Sequence, residues 1–123
     1  MQPSPVGTWS GTATNQYPPM SYPMQVQITM GQGGQYTAQW FGQATVTDMY
    51  GRQMVYKVNE TFVGQAQANK LVMQGRQKTL DANGMVQQMP PDNMTVQFEG
   101  TELVGHVNLA EGGTLTWRAR KTQ

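Results

Sequence analysis

Dry and wet residues alternate one for one along most of this chain. From Met24 onward, Val26, Ile28 and Met30 interleave with Gln25, Gln27 and Thr29. A period of two places the first set on one face of an extended strand. The same beat returns with Tyr36, Ala38 and Trp40, and with Met54, Tyr56, Val58, Glu60 and Phe62. It returns again with Val96 and Phe98, and at the end with Leu115, Trp117 and Ala119. Gly31-Gln32-Gly33-Gly34, Gly51-Arg52, Asn83-Gly84 and Glu111-Gly112-Gly113 separate these runs, and such clusters turn a chain. Strands with one dry face and short connections pair antiparallel with their chain neighbours. Closing the sheet on itself removes its exposed edges. The pattern therefore predicts an all-β fold, a single antiparallel up-and-down β-barrel of about eight to ten strands.

A length of 123 residues fits one domain. Residues 1–6 are expected to form a flexible N-terminal linker, and residues 7–123 the barrel domain. Eight basic residues against seven acidic ones give a net charge of +1, too little to steer the chain toward nucleic acid. Arg76, Lys78, Arg118, Arg120 and Lys121 are expected to form a solvated fringe. No apolar run approaches the ~20 residues of a membrane helix, so no membrane insertion is expected. Without cysteine there is no disulfide and no thiolate metal site. Polarity comes instead from 17 Gln with Thr, Asn and Ser, alternating with apolar residues as on the wet face of a sheet. This sparse-charge style suggests an exported bacterial domain, periplasmic or extracellular. The segment Asn15–Pro23 carries three prolines and is expected to be an ordered loop presenting Tyr17, Met20 and Tyr22 near a barrel mouth.

Gly7-Thr8-Trp9 in the first strand and Trp117-Arg118 in the last resemble the calycin group of small lipocalin-like and avidin-like barrels. The resemblance implies that Trp9 plugs the closed end. It also implies that a basic side chain of the final strand, Arg118 or Arg120, covers the indole in a cation–π contact of about 0.5–2 kcal/mol.

Glu60 is the most pointed candidate. On a regular strand its carboxyl enters the apolar face beside Tyr56, where burial raises its pKa, and it would serve as a ligand anchor or a general acid/base. A bulge at Asn59 would instead rotate it to solvent. Met30, Met54 and Met73, with Trp40 and Phe98, would line an adaptable apolar pocket or else fill a solid core. His106 is the one histidine, so no metal site is expected, and nothing in the chain calls for a cofactor. Catalytic constellations are absent. The leading expectation is a non-catalytic binding barrel holding a small apolar molecule in the barrel interior, in a continuous cavity of at least roughly 300 Å³, through Glu60, Tyr56, Met54, Met30, Trp40, Met73 and Phe98. The alternatives are a structural or protein-interaction module with a filled barrel, including a homodimer, then a carbohydrate-binding module, and last an acid/base isomerase or cyclase.

Overall fold

The computed structural model describes residues 4–16 and 19–122. Tyr17 and the first three linker residues fall outside them. Nine strands follow in order: β1 (Gly7–Gln16), β2 (Pro19–Met30), β3 (Tyr36–Thr47), β4 (Gln53–Gln67), β5 (Lys70–Ala82), β6 (Met85–Met89), β7 (Asn93–Glu99), β8 (Glu102–Asn108) and β9 (Thr114–Lys121). A short 3-10 turn, Gln32–Gly34, joins β2 to β3. Every pairing is antiparallel, and β9 returns to β1 with Ala119 facing Gly11. The sheet closes into an eight-stranded barrel with one additional strand, β6.

The registers explain β6. On one edge of β5, Lys78 faces Met89 of β6 and Gln74 faces Asn93 of β7. Gly75, Arg76 and Gln77 thus stand opposite Pro90, Pro91 and Asp92 with no slip in register. β6 and β7 are successive halves of one wall strand, parted where two prolines cannot donate to the ladder.

The described residues of Asn15–Pro23 form strand, where an ordered loop is expected. Asn15 pairs with Met20, Ala13 with Tyr22 and Thr12 with Pro23, so the described part is a β1–β2 hairpin. Pro19 and Pro23 fit because β3 meets β2 only from Met24 onward. The far edge of Pro19–Pro23 is open, and an open edge tolerates proline.

Midway between its two ends the barrel is full. Phe62, Met73, Met94 and Trp117 are each at most 1% exposed, and the Trp117 indole N–H donates to Met94 Sδ at 3.3 Å. Trp117 lies across Gly105, where a Cβ would come within 2.1 Å of its ring. Met73 is therefore packing. Met30, expected inside, is 57% exposed. It is the last residue of β2, paired with Tyr36 beside the 3-10 turn, beyond the covered interior.

At the opposite end Trp9 is held by apolar contact and one hydrogen bond. Trp9 is 2% exposed. Its indole N–H donates to the Pro5 carbonyl at 2.8 Å, and Phe98 meets it edge-on with centroids 5.8 Å apart. Phe98 thus belongs to this end. Arg118 and Arg120 do not cover the indole. Trp117 and Ala119 face inward on β9, so the arginines between them face outward. There Arg118 pairs with Glu99 at 2.8 Å and with Glu102 at 3.4 Å, and Arg120 with Glu102 at 3.5 Å.

Candidate binding site at the barrel mouth

A cavity of about 170 Å³ opens at the mouth. Phe62, Val107 and Leu115 form its apolar base, while Tyr22, Val58, Leu80 and Leu109 wall it. Asn15 of β1 and Glu111 add polar groups to its lining, and on the β3–β5 side a row of cross-strand partners reaches it. Trp40 of β3 faces Glu60 of β4, and Glu60 faces Lys78 of β5.

A bulge creates that row. The β4–β5 register shifts between Thr61 and Phe62, which face Gln77 and Gly75 and leave Arg76 as the extra residue. Before it, Leu71 and Met73 point inward. After it, inward parity passes to Lys78 and Leu80. The bulge expected at Asn59 is thus on the partner strand, and it leaves Glu60 inside, 4% exposed. Lys78, expected in a solvated fringe, is 7% exposed for the same reason.

Asp92 completes the cluster from the break between β6 and β7. It is 3% exposed. Its backbone N–H donates to Glu60 Oε2 at 2.7 Å. Lys78 Nζ donates to its Oδ2 at 2.9 Å, and the Ala110 N–H to its Oδ1 at 2.8 Å. Its carbonyl accepts from the Gly75 N–H at 2.7 Å. Only glycine fits at 75, since a Cβ would lie 2.5 Å from that carbonyl and 2.7 Å from Glu60 Oε2.

Burial pushes the Glu60 carboxyl up to about 8, helped by its side-chain contact with Asp92. The Asp92 N–H and the charge of Lys78 oppose the shift without cancelling it. Glu60 is therefore mostly a neutral acid at pH 7, while Lys78 and Asp92 form a buried ion pair. Burial, with Asp92 nearby, also raises Tyr22 to about 12. Tyr22 stands edge-on to Trp40, centroids 6.4 Å apart. The buried indole N–H of Trp40 has no hydrogen-bond partner among the described residues.

Of the residues expected to line a pocket, Trp40 and Glu60 meet here. Tyr56 and Met54 do not reach the cavity. They sit farther along β4, where the Tyr56 hydroxyl contacts Met54 Sδ at 3.7 Å. Lys78 and Asp92 were not among the expected site residues. No group of three or more His, Cys, Asp or Glu able to hold a metal occurs among the described residues. A second cavity, about 270 Å³, lies at the closed end between Pro5, Tyr36, Ala68, Lys70 and Phe98. It is larger, and Ser4, Asn69, Lys70 and Gln97 also line it, but Ser4, Asn69 and Lys70 are exposed, unlike the buried Glu60, Lys78 and Asp92 of the mouth.

No protein-family model matches the sequence, and no curated protein matches it. Among solved structures, the chain is similar to one described as a redesigned beta barrel, with a TM-score of 0.57 and 16% identity over 96% of this chain and 91% of that one. That likeness concerns the fold alone: the chain is an antiparallel β-barrel.

Proposed function

We propose that this protein is a non-catalytic binding barrel that takes a small, largely apolar molecule into its mouth cavity. The supporting observation is an apolar hollow with a few polar groups in its wall and at its rim, the usual make-up of a small-molecule site. At about 170 Å³ the space is well below a drug-sized pocket. It is close to the ~150 Å³ apolar cavity that accepts benzene. The ligand is accordingly the size of one substituted ring, held above Phe62 and not threaded through the barrel. The continuous meander and the buried Trp9 at the closed end support a calycin-like relationship.

Amide-detected NMR with a set of single-ring compounds tests this reading. Binding should shift the resonances of Trp40, Leu80 and Leu109. Shifts confined to Tyr36, Ala68 and Phe98, or no shifts, would refute it.

A second reading rests on a different observation. Met49, Tyr50, Met85 and Val86 are 88%, 76%, 78% and 64% exposed at the tips of the hairpins that rise beside the mouth. β6 also presents an uncharged outer edge, Met85–Met89, without the lysines that commonly guard such edges. A homodimer joined along β6 would use both features. Light scattering showing a monomer at high concentration would dismiss it.

A further inference from the structure

β6 ends the sheet with one edge unpaired: among the described residues β5 is its only strand partner. Asn83 and Gly84, at φ 52 and 89, close the β5–β6 hairpin as a two-residue turn. The pair flanking such a turn exchanges its backbone hydrogen bonds, and bonding alternates from there. Ala82 with Met85, Leu80 with Gln87 and Lys78 with Met89 are therefore the bonded pairs. In keeping with this, the Asn83 N–H donates to Val55 on the β4 side at 3.0 Å. The N–H and C=O groups of Val86 and Gln88 point away from β5, to the open edge. Both residues are exposed, Val86 at 64%.

This edge is fitted to a second copy of itself. An antiparallel partner must bond through residues whose groups also point outward, and a two-fold axis can be centred on Val86, Gln87 or Gln88. Centred on Gln88, Val86 would face Pro90, which has no N–H to give. Centred on Val86, Gln88 would face Gly84, whose N–H already goes to Asp81 Oδ1 at 2.7 Å. Centred on Gln87, Val86 faces Gln88 on both sides of the axis, and every outward N–H of the two strands finds a carbonyl. The same register sets Met85, 78% exposed, against Met89, and Gln87 against its own copy. No charged residue occurs from Asn83 to Pro91, so no like charges meet across the joint.

We infer that two copies of this chain pair antiparallel along β6 about a two-fold axis at Gln87, joining their sheets edge to edge. This rests on the homodimer reading above and fixes its register. The five-residue strand makes a small contact, so the dimer is reversible and fills at high concentration.

The chain has no cysteine, so a single introduced thiol reports its own neighbour. Under mild oxidation Gln87→Cys should give a disulfide-linked dimer. Met85→Cys and Met89→Cys should each cross-link poorly alone and readily when mixed. Sedimentation equilibrium of the unaltered protein at high concentration should show monomer and dimer together. Val86→Pro removes an outward N–H, leaves the β5 ladder intact, and should weaken the dimer about tenfold. Gln87→Lys sets two ammonium groups face to face and should weaken it as well, and mixing it with Gln87→Glu should restore dimers. Cross-linking by Val86→Cys or Gln88→Cys alone, in place of Gln87→Cys, overturns the register and leaves the β6 homodimer standing. A monomer at every concentration, a dimer that Gln87→Lys does not weaken, or growth beyond two copies overturns both.

Discussion

The backbone N–H of Asp92 donates to Glu60 Oε2 across 2.7 Å, tying the break in one wall strand to the middle of another. The bond joins positions 32 residues apart. It sets a buried carboxyl beside a buried ion pair, and three consequences follow for stability.

The first concerns pH. Glu60 titrates in the folded state near 8, above its ordinary 4.5. Its contribution is fully present below 4.5. It is lost as pH rises, because the unfolded chain gives up the proton while the folded one must keep it. Between about pH 5 and pH 8 the wild-type protein should lose a few kcal/mol relative to Glu60→Gln, which has no such titration. Urea melts at several pH values measure the difference. A difference that stays constant or changes sign would rule out a raised Glu60.

The second concerns the ion pair. Asp92→Ala leaves the Lys78 ammonium buried without its ion-pair partner, with only the Glu60 carboxyl opposite it, which should cost about 3–5 kcal/mol. Combining Asp92→Asn with Lys78→Met removes both charges and should cost clearly less than Asp92→Ala, since paired buried charges contribute little net stability over apolar packing. Denaturant midpoints of the variants test this. Equal losses would mean that Asp92 acts through its backbone contacts.

The third concerns Gly75. In Gly75→Ala the new methyl would collide with the Asp92 carbonyl and Glu60 Oε2. Two strands must separate to admit it, at a cost of about 1–3 kcal/mol, as for other overpacked sites. Hydrogen exchange should show faster exchange at Lys78–Ala82 and Met85–Met89, with Leu103–Val107 still protected. Uniform protection would show that the break tolerates a side chain.

At the closed end two kinds of plug can be told apart. Trp9→Ala should cost about 3–5 kcal/mol as a buried aromatic lost. Arg118→Ala should leave the melting midpoint nearly unchanged, because its guanidinium pairs with Glu99 and Glu102 on the outer surface. A large loss on removing Arg118 would restore a cation over the indole.

The barrel itself was legible from alternation, because a period of two is a local property of each strand. The site was only half legible. Glu60 stood out as the one charge on a dry face. Lys78 did not, although the chain held a clue: Leu71 and Met73 are odd-numbered and Leu80 is even, and a change of parity within one strand marks a bulge. Asp92 was hidden because two prolines looked like a simple loop. Its role depends on the register set by the Asn83-Gly84 hairpin before it and on Glu60, 32 residues away. Met30, Tyr56 and Met54 were misplaced because parity gives the face of a strand and not the height along the barrel.

The most direct test of the mouth cavity is a crystal of the protein soaked in bromobenzene, with the halogen located by its anomalous signal. The account predicts one dominant peak above Phe62, between Trp40 and Leu80. A peak confined to the closed end near Phe98, or no bound halogen at all, would contradict it.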